Sequence, residues 1–174
     1  MDDKNLKGHL ISLLWGGALA ALLIYADQAT KVWSENVLKD SEPIPLIEGV
    51  LELQYLENTG AAFGMFRDAQ TFFFISTVAV MIIIVSVLAR MPVTKRLFPL
   101  RFLLYIIFAG AIGNFIDRIR FRYVRDFIYF KLINFPIFNV ADICVTCATI
   151  LLIILMLAFY KDKDLAFLSR SGNQ

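Results

Sequence analysis

The stretch FNVADICVTCATILLIILMLAFY, residues 138–160, decides what kind of molecule this chain makes. From Ile143 to Tyr160 it carries no charge, and about 20 such residues in a helix span the roughly 30 Å of hydrocarbon in a bilayer. A helix is required there, because an apolar strand would leave backbone groups unpaired in lipid. Asn139 and Asp142 stand at the mouth of this run. A carboxylate in that place is costly. Either it caps the helix, where free N–H groups and the dipole favour an acid, or it serves chemistry.

Three more runs repeat the pattern: Leu10 to Ala26, Ala69 to Ala89, and Leu97 to Ile116, the last interrupted only by Arg101. With 59% hydrophobic residues, 16 Phe and 18% charge, the chain is too apolar for a soluble domain of its size. Lys4 and Lys7 before the first run imitate a secretory signal, but the run is long for one and no A-x-A site with a mature domain follows, so it is expected to remain as a helix. No internal repeat, low-complexity tract or long linker is visible. Residues 1–174 therefore read as a single integral-membrane domain, an all-α membrane protein with four transmembrane helices at about 10–31, 69–90, 97–120 and 140–160. A small extracytoplasmic β-rich segment, about 34–68, is expected to lie on the outer membrane surface. Within it, Leu51, Leu53 and Tyr55 alternate with Glu52 and Gln54, the period of a strand with one buried face, before Thr59 and Gly60 turn the chain and GAAFGMF returns it to the second helix.

Basic residues set the orientation. Arg90, Lys95, Arg96 and Arg101 between the second and third helices, and Lys161, Lys163 and Arg170 in the tail, are expected on the cytoplasmic side with both termini. The acidic segment 34–68 suits the outside. Residues 117–131 break the rule with five basic residues on the outer side; for Arg120 and Arg122, snorkelling to lipid phosphates is sufficient reason.

On this map the polar residues gather at one rim. Asp27, Gln28 and Lys31 end the first helix, Asn58 and Gly60 lie in the outer segment, Asn114, Asp117 and Arg118 end the third helix, Asp126 follows, and Asn139 and Asp142 open the fourth. Asn139 can cap that helix, which leaves Asp142 in its first turn. Asp27 and Lys31, spaced i, i+4, read as a structural pair. The lone His9 lies at the opposite end, no His or Cys cluster has zinc-ligand spacing, and no hydroxyl nucleophile beside a base stands out. Cys144 and Cys147 form a C-x-x-C, the mark of disulfide exchange, but without a second pair to relay to they read as small apolar residues. An ion transporter would place its acids at midplane depth.

The runs DQATK (27–31), ENTGAAFG (57–64), GAIGNFIDR (110–118), VRDF (124–127) and FNVAD (138–142), in this order, resemble the signature boxes of lipoprotein signal peptidase, signal peptidase II. The resemblance implies a bacterial inner-membrane aspartic endopeptidase that removes the signal peptide of diacylglyceryl-modified prolipoproteins before the modified cysteine, close to the outer face. It implies Asp126 and Asp142 as the catalytic pair, with Asn58, Gly60, Asn114, Arg118 and Asn139 lining or supporting the substrate site, and Asp27 and Lys31 as stabilising residues. No cofactor, metal or nucleic acid is expected; membrane lipids and globomycin-type inhibitors are the other expected partners. Two carboxylates suit the reaction because close neighbours do not readily ionise together and so share a proton. Ala109, Arg122 and Arg125 depart from the family's usual glycine, glycine and valine. As a lid, either segment 34–68 or segment 119–137 is expected to close the site.

Overall fold

The computed structural model describes residues 3–60 and 70–169. Four long helices, α1 (Asp3–Leu38), α2 (Gln70–Arg90), α3 (Phe98–Phe121) and α4 (Val140–Ala158), are each long and apolar enough to cross a membrane. Three strands, β1 (Ile44–Ile47), β2 (Leu51–Asn58) and β3 (Val124–Phe130), form one antiparallel sheet in the order β1-β2-β3. The four-helix architecture with a small β segment is thus as the sequence indicates. The GAAFGMF return lies almost wholly outside the described residues.

Helix α3 is the central element, packed on α1, α2 and α4. Small residues let it approach its neighbours: a Cβ at Gly110 would stand 2.7 Å from the Ala141 carbonyl oxygen and 2.7 Å from Val145 Cγ2 of α4. On the other side, Gly16 of α1 leaves room for the Tyr105 ring, which also meets Trp15 edge-on with centroids 5.2 Å apart. In lipid, where helices gain nothing hydrophobic by touching, such close fits and buried polar bonds hold a bundle together. Arg101, the one charge inside the third apolar run, is buried and donates to Ser12 Oγ and to the Leu88 and Met91 carbonyls at the end of α2. That end of the bundle also brings Gly8 to Val93, and Arg96 to the Phe159 carbonyl and Asp164. The sheet lies at the other end.

Three features differ from the sequence expectation. Helix α1 does not stop near Lys31 but continues to Leu38, because Lys31, Ser34 and Leu38 are all buried against other elements; at 36 residues it is about 54 Å long and must project beyond the bilayer. Residues 117–131, expected as a basic connection after the third helix, hold the end of α3 and the strand β3. In β2 the charged Glu52 is the buried residue while Leu51, Leu53 and Tyr55 are half-exposed, since Lys131 reaches Glu52 at 2.6 Å and a register shift between Leu53 and Leu56 interrupts the pleat.

The α3–α4 contact makes a testable statement. Gly110→Ala should lower the thermal midpoint in detergent, at about 1–3 kcal/mol for overpacking against backbone that has nowhere to move. Gly17→Ala in α1, where nothing lies within 4 Å, should be neutral or slightly stabilising by helix propensity.

Candidate active site

The site is assembled where the bundle meets the sheet. Helix α4 begins with a reciprocal capping box: Asn139 Oδ1 accepts from the Asp142 N–H at 3.0 Å, and Asp142 Oδ2 accepts from the Asn139 N–H at 3.1 Å. This occupies one oxygen of Asp142. The other, Oδ1, accepts from Asn114 Nδ2 at 2.7 Å. Capping and chemistry are therefore not exclusive for Asp142, and Asn139 is the cap itself.

Asp126 is 1% exposed. Its Oδ1 accepts from Asn139 Nδ2 at 2.6 Å and its Oδ2 from Asn58 Nδ2 at 2.8 Å, while Asn58 Oδ1 is held by the Gly60 N–H at 3.0 Å. Asn139 thus donates to both carboxylates, through its backbone to Asp142 and through its side chain to Asp126. Burial pushes the Asp126 carboxyl up to about 7; the charge of Asp142 pushes the same way, and the bonds from Asn58 and Asn139 oppose them.

Both carboxylates line one cavity of about 520 Å³. Its polar wall is Asn58, Asn114, Arg118 and the two acids; its apolar wall includes Phe73, Val124, Ile137, Phe138 and Ile143. Arg118 lies over the Phe73 ring at 5.1 Å, and its charge faces both Asp142 and Asp126. Gly60 is at the rim of the same cavity. Among the described residues no group of three His, Cys, Asp or Glu side chains is placed to hold a metal ion. Cys144 and Cys147 are free thiols, the second lining the cavity.

Behind the site stands a buried charge network. Lys31 pairs with Asp27 at 2.9 Å and lies 3.7 Å from Asp117. Asp27 Oδ1 accepts from the Ala141 N–H at 3.0 Å, and Gln28 Nε2 bridges Asp27, Asp117 and the Gly113 carbonyl. Arg125 grips Asp117 through Nε and Nη2 at 3.1 and 2.8 Å, and its Nη1 reaches Glu35 at 3.1 Å. The sequence marked Arg125 only as a departure and gave Glu35 no role; nothing local signals a pairing that spans 90 residues. Of the other two departures, Arg122 has a definite conformation, and nothing in the structure explains Ala109. Arg122 has φ +67° and closes α3 with a left-handed cap, the conformation glycine adopts most readily. Ala109 is a buried residue of α3.

Fold and site define a multi-pass membrane protein whose polar residues converge on two carboxylates beside an apolar cavity. The pattern of signal peptidase II matches residues 19–158. The chain is 41% identical over 152 residues to a lipoprotein signal peptidase of Clostridium tetani, covering 84% of this chain and 96% of that one, and 41% identical over 146 residues to one of Streptococcus pyogenes, covering 82% and 91%. Two solved structures of a bacterial membrane enzyme superpose with TM-score 0.72, one at 31% identity over 91% of this chain and 92% of its own, the other at 32% over 83% and 94%. The chain belongs to the signal peptidase II family.

Two outcomes follow from the geometry. Asp126 has a folded value near 7, above the usual 3.8, so its contribution to stability is fully present below about pH 4 and is lost as pH rises through about 7. Relative to Asp126→Asn, the wild-type melting temperature should therefore fall between about pH 4 and 7. Arg125→Val, which strips Asp117 of its shortest ion pair, should cost about 1–3 kcal/mol in a thermal unfolding assay.

Proposed function

We propose that the chain removes signal peptides from diacylglyceryl-modified prolipoproteins by aspartic catalysis, with Asp126 and Asp142 as the pair, cutting before the lipid-modified cysteine. The observation that carries this reading is the single residue, Asn139, that bonds both carboxylates within one largely apolar cavity. Two acids bonded to one residue and lining one cavity hold one proton between them. The ionised partner takes a proton from water as the water attacks the scissile carbonyl. The protonated partner hydrogen-bonds the carbonyl oxygen and then delivers its proton to the departing nitrogen. That proton is a property of the pair.

The remaining wall residues suit the substrate. Phe73, Ile137, Phe138 and Ile143 offer apolar surface to the signal peptide and the acyl chains, and Arg118 offers a cation to the substrate backbone. The distribution of basic residues puts both termini in the cytoplasm and the site near the outer face of a bacterial inner membrane. Residues 1–174 act as one peptidase domain, with membrane lipids and globomycin-type inhibitors as its other partners.

Asp142→Asn keeps the volume and the capping oxygen. If Asp142 were only a cap, the variant should work almost normally and lose only stability, by about 1–3 kcal/mol because its NH₂ would meet the Asn114 NH₂. As a catalytic residue it should lose turnover by orders of magnitude while staying folded and still binding a lipid-modified peptide. Asp126→Asn should behave alike, and the double variant should be little worse than either. Cleavage of a diacylglyceryl-modified precursor in liposomes, with folding and binding followed in parallel, is the assay. Near-normal turnover by folded Asp142→Asn refutes the assignment.

A further inference from the structure

The Asn114 amide has two ends of the same shape and opposite polarity, and only one orientation serves the site. Its Oδ1 receives two donors, Lys31 Nζ at 2.9 Å and Asn139 Nδ2 at 3.1 Å, while its Nδ2 donates to Asp142 Oδ1 at 2.7 Å. Turned over, it would set an oxygen against the Asp142 carboxylate and an NH₂ against an ammonium. Asn139 Nδ2 spends its second proton on Asp126 Oδ1 at 2.6 Å. A chain of donors therefore runs from Lys31 through Asn114 to Asp142, and from Asn139 to Asp126.

Lys31 itself is 0% exposed and does not line the cavity. The i, i+4 pair with Asp27 occupies one of the three N–H donors of the buried ammonium, and Asn114 Oδ1 takes a second. Such a pair gains little when buried, because desolvation offsets most of the attraction. The bond to Asn114, 83 residues away, satisfies the ammonium and at the same time fixes which end of that amide faces Asp142.

We infer that Lys31 is a positioning residue for the peptidase reaction: its ammonium locks the Asn114 amide so that Nδ2 faces Asp142, and the shared Asn114 and Asn139 amides hold both acids in reacting alignment. This rests on the assignment of Asp126 and Asp142 as the catalytic pair. Although Asp27 and Asp117 partly offset it, the same cation favours an ionised Asp126, so its removal alone should move the acidic limb of the pH–rate profile to higher pH. The charged groups that act on it are Asp27 from α1, Asp117 from α3, Asp126 from β3 and Asp142 from α4; Arg118 acts on the same acids, and Arg125 on Asp117, with Glu35 beyond it.

The test uses Lys31→Met and the charge-balanced Asp27→Asn/Lys31→Met, in which the ion pair is removed as a unit and the amide oxygen introduced in place of the Asp27 carboxylate can still accept from the Ala141 N–H. With a diacylglyceryl-modified precursor in liposomes, the folded double variant should lose about tenfold or more in kcat, the scale seen when an orienting partner of a reacting group is removed, with KM little changed. The acidic limb should shift upward in folded Lys31→Met, and by less in the double variant, where the opposing Asp27 charge is lost as well. On an Asn114→Ala background, Lys31→Met should add no further loss to the residual rate, since the two act through one bond. A folded double variant with wild-type kcat and pH profile overturns the proposal, as does additive loss with Asn114→Ala. Failure of the charge-balanced variant to fold overturns it too, by making Lys31 a residue of the scaffold alone. Asp126→Asn is assayed beside them. Turnover retained there overturns the catalytic pair, whereas loss there with wild-type behaviour of the Lys31 variants overturns this inference only.

Discussion

The carboxylate of Asp27 holds three helices at one point. It leaves α1, lies against α3 at Gly113, where a Cβ would stand 2.5 Å from Oδ2, and ends on the Ala141 N–H in the first turn of α4. Each helix then carries a residue of the site within a few residues of that junction: Asn114 follows Gly113, Asp142 follows Ala141, and Lys31 is one turn from Asp27. A shift of any helix at this junction moves the polar residues with it. Only glycine leaves room for the carboxylate, which is why a small residue in α3 is as much a part of the site as the acids.

Burying such a junction is costly for each ion, several kcal/mol even after relaxation, and one pair would not offset it. The charges alternate instead: Asp27 to Lys31, Lys31 to Asp117, Asp117 to Arg125, Arg125 to the half-exposed Glu35. The proposed pair is set one layer away from this network, behind the amides of Asn58, Asn114 and Asn139. Amides suit that position because they orient a carboxylate without fixing its charge. A lysine or arginine bonded directly to either acid would hold it ionised, and a pair that has to carry one proton would lose its acid.

Much of this was legible in the sequence because a bilayer makes strong demands. An uncharged run must be a helix, so four runs gave the bundle, and polar residues stranded at one end of those runs marked the rim. What escaped reading was everything set by contacts between distant segments. Strand β3 shows no alternation because Val124, Arg125, Asp126 and Phe127 are all buried, with elements covering both faces, and a strand enclosed on both sides has no period of two to find. Helix α1 outran its apolar stretch because Lys31 and Ser34 are buried by tertiary partners. Glu52 in β2 was read as facing water, whereas Lys131 neutralises it in place. The arginine that looked like a loop charge, Arg125, is the tie between β3 and the helices.

The strand is what lets the two acids come from different kinds of element. Successive residues of a strand point to opposite faces, so β3 can turn Arg125 to the charge network of α1 and α3 while turning Asp126 into the cavity. The register shift between Leu53 and Leu56 in β2 sets Leu56 opposite Asp126 and Asn58 opposite Val124, which brings the Asn58 amide onto the oxygen of Asp126 that Asn139 leaves free. Asp142 is fixed by the first turn of a helix, Asp126 by a strand bolted at the neighbouring residue. Neither depends on a flexible side chain for its place, and the alignment of the pair is built into the backbone before any substrate arrives.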